Sequence, residues 1–226
     1  MGNSTLKRVS RGEIKGWVRG EVLNNLPTHF FEDPLSSIQE MGGEVLKESK
    51  WRWAALLRLS NGRSFFLKRD KTKGWMEGLK YLFSPSKGQK EFFIASQLEG
   101  RGLHLPQPLG WMERVWKGWV KESYYLSEAI GTGVSFIEEV AKSKEPRSII
   151  ELAKTVRKFQ EAGLFHRDLH GGNFLWEDDT LFLTDLHRAK LMKSLSLHRR
   201  LWNLSHLFHS LRSMWGEEEQ LRFLDQ

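Results

Sequence analysis

The chain has 226 residues, 39% of them hydrophobic and 28% charged, and its 14 Phe and 10 Trp exclude low-complexity disorder. The absence of cysteine excludes a disulfide scaffold, cysteine-ligated zinc sites and thiol catalysis. The excess of 35 Lys and Arg over 28 Asp and Glu gives a net charge of +7, which favours anionic partners such as nucleotide phosphates, nucleic acid or an anionic membrane face.

The first predicted elements form one sheet. Residues 1–32 are basic and weakly patterned, and we interpret them as a solvated edge segment, with membrane-surface contact as the alternative. Asp33-Pro34 predicts the start of a short helix that Gly42-Gly43 ends. Strand patterns then cover residues 44–49, 54–60 and 63–68, and Asn61-Gly62 predicts a tight turn between the last two.

A basic linker is predicted from Arg69 to Gly88. We expect its large apolar residues to pack against the body of the protein; they are Trp75, Leu79, Leu82 and Phe83. A helix follows over residues 91–98, and strands over 109–116 and 121–129 precede Gly131-Thr132-Gly133. Residues 33–130 are therefore predicted to form an N-terminal lobe of antiparallel sheet plus one helix.

The second half of the chain is predicted to be mostly helical. Pro146 begins an amphipathic helix that ends at Gly163, and short strand segments follow at residues 164–165 and 181–184. The last helix has a predicted apolar face made of Leu197, Leu201, Leu204, Phe208 and Leu211. Residues 131–226 thus form a second lobe, and the fold class is α+β.

Polar residues cluster between His166 and Lys190. Asp168 and Asn173 flank the Gly171-Gly172 turn, which can direct both side chains to one point. Asp185 follows an apolar segment that we expect to pair with residues 174–176 and so return to that point. Two carboxylates and one amide oxygen suit Mg²⁺, because this hard cation takes oxygen ligands.

The sequence H-R-D-L-H-G-G-N, followed by the Asp185 turn, resembles the catalytic and metal motifs of the protein-kinase-like fold. The resemblance implies two lobes, an antiparallel-sheet N-lobe and a compact helical C-lobe. It also implies that Asp168 is the catalytic carboxylate and that Asn173 and Asp185 hold Mg²⁺.

The same resemblance assigns residues of the N-terminal lobe. Lys68 ends the strand Ser64-Phe65-Phe66-Leu67, where the phosphate-binding lysine belongs, and Glu91 in the next helix is its expected ion-pair partner. The connector Glu128-Ala129-Ile130 would be the hinge whose backbone groups bind adenine, so Glu128 and Ile130 are expected at the nucleotide.

Finer details resemble the bacterial lipopolysaccharide core kinases, which phosphorylate heptose or Kdo (3-deoxy-manno-octulosonic acid). They are the sequence D-L-H-R-A from Asp185, Lys73-Gly74-Trp75 in the linker and Gly43-Glu44-Val45 at the first strand. This resemblance covers roughly residues 33–212 and implies ATP, Mg²⁺ and a saccharide or lipid-linked saccharide acceptor. No apolar run approaches the ~20 residues of a spanning helix. We therefore expect a cytoplasmic protein with peripheral contact to the anionic inner-membrane face.

Some features depart from the protein-kinase pattern or allow other interpretations. The loop Ser49–Arg52 lacks a glycine-rich motif, and His170 stands where protein kinases often carry Lys. A zinc site at His166, His170 and His187 is disfavoured because no metalloprotease motif surrounds it. Kinases acting on another small molecule or on protein, a scaffold that binds nucleotide without turnover, and a nucleic-acid-binding module stay open. No reader motif supports the last, so we expect no nucleic acid.

Overall fold

The computed structural model describes residues 5–58, 62–131, 134–142 and 146–226. Asn61, Thr132 and Gly133, to which the sequence assigns turns, lie outside the described residues, as does the end of the strand predicted over 54–60. The chain divides into two units, Met1–Phe93 with Gln107–Ala129, and Ile94–Pro106 with Ile130–Gln226. Each unit has its own hydrophobic core.

The first unit contains one antiparallel sheet of seven strands. They are β1 (Leu6–Arg11), β2 (Ile14–Arg19), β3 (Glu44–Glu48), β4 (Arg52–Arg58), β5 (Ser64–Lys71), β6 (Pro108–Trp116) and β7 (Trp119–Glu128). Their spatial order is β1-β2-β6-β7-β5-β4-β3, and every neighbouring pair is antiparallel. The five strands expected between residues 44 and 129 are all present, with ends shifted by up to three residues.

Strands β1 and β2 occupy the segment that the sequence analysis set apart as residues 1–32. They extend the sheet beyond β6, with Trp17 opposite Trp111 in the register. Val9, Ile14 and Val18 are buried in the core of the first unit. The strand pattern was missed because basic residues fill the exposed positions between the apolar ones, so the segment has low average hydrophobicity.

The helices of the first unit include α1 (Gly20–Leu23), α2 (Pro34–Glu40) and α3 (Gly74–Lys80). Helix α2 begins where Asp33-Pro34 predicted, because the Asp33 carboxylate accepts a hydrogen bond from the backbone amide of Ser36 at 3.2 Å. In the core of the first unit, the buried Trp53 ring contacts Tyr124 edge-on, with centroids 6.2 Å apart. Such aromatic contacts give the core specific packing geometry.

Helix α3 lies within the predicted basic linker, and its apolar side chains do not pack as expected. Trp75, Leu79, Leu82 and Phe83 are all exposed. The prediction was wrong because it assumed that a short segment buries its apolar face, whereas here the polar face contacts the protein. Helix α4 (Lys87–Leu98) follows and begins four residues before the predicted helix.

The second unit contains four further helices and two small sheets. The helices are α5 (Phe136–Lys142), α6 (Pro146–Glu161), α7 (Leu197–Leu211) and α8 (Glu217–Leu224). The strands are β8 (Leu164–His166), β9 (Phe174–Glu177), β10 (Thr180–Leu183) and β11 (Ala189–Leu191). Strand β10 pairs with β9, as the sequence predicted, and β11 pairs with β8.

The predicted apolar face of α7 was partly wrong. Leu197 and Leu201 are exposed, whereas Asn203, Leu207 and Leu211 are buried at spacings of four residues. The polar Asn203 occupies a buried position because its side chain binds backbone groups of β8, at the amide of His166 and the carbonyl of Leu164. Within the described part of the chain, no helix combines the length and the apolar character needed to cross a membrane.

Two glycines that follow helices allow a matched stability test. Gly163 and Gly100 both have left-handed backbone, with φ of 82° and 77°. A Cβ at Gly163 would lie 1.9 Å from the Met192 carbonyl oxygen, whereas a Cβ at Gly100 meets no atom within 4 Å. Gly100→Ala should therefore cost about 1 kcal/mol of unfolding free energy, from backbone strain alone.

Gly163→Ala adds the steric clash to the same strain, so we expect it to cost about 3 kcal/mol or more. Urea unfolding of the two variants and the wild-type protein measures both values. Equal losses for the two substitutions would contradict the close approach of Gly163 to Met192.

Candidate active site

A buried ion pair joins the sheet and helix α4 in the first unit. Lys68 on β5 places its Nζ 2.6 Å from Oε2 of Glu91, and the two side chains are 7% and 2% exposed. Lys68 lies opposite Tyr125 of β7, whose ring centroid is 6.0 Å from Nζ. Removing one partner would leave an uncompensated buried charge, so each residue requires the other. The structure thus brings together the lysine and glutamate that the sequence paired.

The predicted hinge residues lie where β7 ends. The amide of Glu128 donates to the Gln107 carbonyl at 2.9 Å, and the amide of Ala129 donates to the Ser64 carbonyl at 2.9 Å. The Glu128 side chain lies 3.9 Å from Arg63. Both amides are therefore already engaged as hydrogen-bond donors within the first unit. Ile130 is the first residue of the second unit after β7 and is half-buried.

Asp168 lies in the loop between β8 and a 3₁₀ turn at Gly171–Asn173. The side-chain amide of Asn173 closes this loop by donating to the Asp168 backbone carbonyl at 3.0 Å. The Asn173 backbone amide donates to the His170 carbonyl, also at 3.0 Å. Asn173 is buried, whereas the Asp168 side chain is 42% exposed and accessible to a substrate.

Thr184 connects this loop to Asp185. Its backbone amide and its hydroxyl both donate to the Asn173 carbonyl, at 2.8 and 2.9 Å. Asp185 then adopts a left-handed conformation with φ of 60°, which Asp tolerates better than most residues. Its Oδ1 lies 2.5 Å from Nδ1 of His187. The structure thus brings Asn173 and Asp185 together on two bonded segments.

The buried ring of His166 contacts both polar segments. Its Nδ1 accepts a hydrogen bond from the Asp168 amide at 3.2 Å, so its Nε2 carries the proton and donates to the Asp185 carbonyl at 3.0 Å. This arrangement requires a neutral imidazole. Burial lowers the pKa of His166 to about 4, which keeps the ring neutral near neutral pH.

Arg188 forms the contact that the sequence did not predict. Its Nη1 donates to Oδ2 of Asp168 at 2.9 Å, and the two side chains are 53% and 42% exposed. The anchoring of β8 by Asn203 was also missed, because no local spacing relates residues 37 positions apart.

Asn173 and Asp185 are suited to holding a divalent cation by their donor chemistry. They offer an amide oxygen and a carboxylate, and hard cations such as Mg²⁺ prefer oxygen ligands. Asp168 is suited to a different task, because its exposed carboxylate can accept a proton from a hydroxyl. The site therefore separates the candidate cation ligands from the candidate base.

Protonation of His166 should make the unfolding free energy depend on pH. The unfolded chain binds a proton on this ring below about pH 6.5, whereas the folded protein does so only below about pH 4. The stability contributed by the neutral ring is therefore complete above pH 6.5 and is lost as the pH falls through this window. The slope is at most about 1.4 kcal/mol per pH unit.

Urea unfolding of the metal-free protein gives the unfolding free energy at each pH in this range. Its increase with pH should be steeper for the wild type than for His166→Gln. His198→Gln, which changes an exposed histidine on α7, is the control. Parallel pH profiles for the wild type and His166→Gln would contradict a neutral His166.

Comparison with known proteins identifies the family. The model of the lipopolysaccharide kinase (Kdo/WaaP) family matches residues 37–226. The lipopolysaccharide core heptose(I) kinase WaaP of Escherichia coli (strain K12) is 27% identical over 180 residues, which cover 71% of this chain and 68% of that protein.

A solved structure, WaaP in complex with acyl carrier protein, superposes with a TM-score of 0.61 at 20% identity. The match covers 85% of this chain and 80% of that one and confirms the predicted α+β class with a protein-kinase-like fold. Kinase family membership implies ATP binding and phosphoryl transfer. The chain belongs to the lipopolysaccharide kinase (Kdo/WaaP) family.

Proposed function

We propose that this protein transfers the γ-phosphoryl group of ATP to a hydroxyl of heptose or Kdo in the inner core of lipopolysaccharide, with Mg²⁺ as the metal ion. The observation that carries the proposal is that Asn173 bonds to the Asp168 loop and to Thr184, the residue before Asp185, within a chain of this family. The family name includes Kdo, whereas the curated relative acts on heptose, and the proposal therefore covers both sugars.

In this proposal, the first unit supplies the side chain that binds the nucleotide phosphates. Lys68 contacts the phosphates, and Glu91 holds its ammonium group at 2.6 Å. The amides of Glu128 and Ala129 already donate to the carbonyls of Gln107 and Ser64. We therefore assign the adenine-binding amide to Ile130, with the Glu128 carbonyl as its companion acceptor.

In the second unit, Asn173 and Asp185 hold Mg²⁺, which supplies positive charge to the phosphates when it is bound. Asp168 accepts a hydrogen bond from the sugar hydroxyl and takes its proton as the phosphoryl group transfers. The Asn173 side chain fixes the backbone of Asp168, so one residue serves the cation and the base loop together.

Arg188 has two roles in this proposal. Its hydrogen bond orients the Asp168 carboxylate before the acceptor binds. Because the pair is partly exposed, the acceptor hydroxyl can reach the same carboxylate. Its remaining guanidinium N–H groups can also bind an anionic acceptor, because guanidinium groups recognise phosphate and carboxylate well. Inner-core saccharides carry such anionic groups. A neutral peptide acceptor carries none, so Arg188 would only orient Asp168 for it.

Asp168→Asn tests the proposed base. Loss of the carboxylate should lower kcat about 10²–10⁴-fold while nucleotide affinity stays unchanged, since the residue acts on the acceptor. Asp185→Asn should instead weaken metal-dependent nucleotide binding. The control is Asp179→Asn, because that side chain is 81% exposed and pairs with Arg147. Product formation and ATP affinity are measured separately, and near-wild-type turnover by Asp168→Asn would refute the assignment.

Arg188→Ala tests the proposed positioning role. We expect kcat to fall about 10- to 100-fold, because a displaced base loses its alignment with the hydroxyl. The acceptor KM should rise as well, and Arg188→Lys, which keeps the positive charge but not the guanidinium group, should recover only part of both losses.

Thermal stability of Arg188→Ala should stay within about 1 kcal/mol of wild type, since exposed ion pairs contribute little. The control is Arg167→Ala, which removes an exposed arginine that directly precedes Asp168 in the chain. Unchanged kinetics in Arg188→Ala would show that the ion pair with Asp168 has no functional part.

A further inference from the structure

The segment from Lys71 to Ser84 carries an exposed apolar surface, which we call the α3 patch. Its members and their exposed fractions are Trp75 at 73%, Met76 at 70%, Leu79 at 42%, Leu82 at 49% and Phe83 at 87%. Contiguous large apolar residues at such exposure are unusual on a soluble surface and indicate an interaction site.

Helix α3 has its orientation fixed by its polar side. Glu77 accepts a hydrogen bond from the Tyr81 hydroxyl at 2.9 Å and forms an ion pair with Lys87 at 2.8 Å. Its other carboxylate oxygen accepts from the Lys73 amide at 2.5 Å. Gly78 packs against the ring of Trp119, since a Cβ there would lie 3.1 Å from Cε3.

Helix α3 is therefore amphipathic with its apolar face toward solvent and its polar face toward the protein. In a helix that stabilises a soluble fold, the apolar face packs inward and the charges face water. Here the single carboxylate of the segment faces the protein, and the tryptophan, methionine and leucine face solvent. Burial alone would raise the pKa of Glu77, but Lys87 and the other hydrogen-bond donors lower it, so the inward carboxylate stays ionised.

The exposed charged residues within the segment are positive. Lys73 and Lys80 are exposed within the segment, and Lys71 is half-exposed. Since Glu77 is the only acidic residue between Lys71 and Ser84 and faces inward, the outward surface combines aromatic groups with cations. This combination is typical of helices that lie in the interface of an anionic bilayer.

We propose that the α3 patch docks the protein on an anionic phospholipid membrane. Trp75 and Phe83 enter the boundary between headgroups and acyl chains, and Lys73 and Lys80 face the lipid phosphates. The choice of membrane rests in part on the proposed function, because a lipid-linked saccharide acceptor is presented at such a surface.

Other occupants of the α3 patch fit the observations less well. A second copy related by twofold symmetry would bring Lys73 and Lys80 toward the same cations of its partner. A folded acidic partner would need matching cavities for side chains that protrude as far as Phe83, whereas a fluid lipid phase accepts them without a matching shape.

Vesicle sedimentation tests the proposal with the full chain. Wild-type protein should bind vesicles of phosphatidylethanolamine and phosphatidylglycerol, and binding should weaken with added salt or with vesicles of phosphatidylcholine alone. Trp75→Ser with Phe83→Ser should lower the partition coefficient at least about ten-fold, because two large apolar groups no longer enter the bilayer. Lys80→Glu should lower it by about ten-fold.

A matched pair of leucine variants controls for loss of apolar surface. Leu79→Ser with Leu82→Ser changes the patch, whereas Leu221→Ser with Leu224→Ser changes leucines of similar exposure, 54% and 55%, on the acidic helix α8. Only the first pair should lose vesicle binding. Equal binding by the wild type and the Trp75/Phe83 variant would overturn the proposal.

Two further outcomes separate this inference from the proposed function. The Trp75/Phe83 variant should phosphorylate water-soluble core oligosaccharide at the wild-type rate and lose activity only on lipid-linked acceptor in vesicles. Patch-dependent vesicle binding without any saccharide phosphorylation would support docking and refute the proposed function. A wild-type dimer that the variant converts to monomer, with no vesicle binding by either, would assign the patch to a second copy and overturn the proposal.

Discussion

The hydrogen bonds of one neutral histidine determine the geometry of the candidate site in the second unit. His166 accepts from the Asp168 amide and donates to the Asp185 carbonyl, so a single ring sets the spacing of the segments that carry both carboxylates. Asn203 in turn fixes the His166 backbone from helix α7. A charged imidazole could not accept from Asp168, and burial prevents that state by disfavouring the proton.

The two units neutralise the charged side chains of the candidate site in different ways. In the first, a fully buried cation and anion neutralise each other, as Lys68 and Glu91 do. In the second, the carboxylates of Asp168 and Asp185 keep part of their surface in water while Arg188 and His187 contact them. A buried pair holds its geometry without substrate, whereas partly exposed pairs can exchange partners when phosphate, metal or sugar arrives.

Local sequence patterns predicted the elements whose periodicity and caps act over short distances. The five strands from β3 to β7, the start of α2 at Asp33 and the β9–β10 hairpin follow from such patterns. The spacing of Asp168 and Asn173 also sufficed to predict one loop. Contacts between distant segments were not predictable, since nothing local relates His166 to Asn203 or Asp168 to Arg188. The exposure of the apolar side chains of α3 was not predicted, because pattern analysis assumes that apolar faces pack inward.

The central claim is that the acceptor is an inner-core sugar hydroxyl. The most direct measurement is the product formed by phosphate-free wild-type protein with Mg-ATP, offered core oligosaccharide and a peptide library in parallel. Tandem mass spectrometry should locate one new phosphate on heptose or Kdo, with no prior phosphorylation of the protein needed and no peptide modified. Efficient phosphorylation of Ser, Thr or Tyr peptides without any saccharide product would contradict the account.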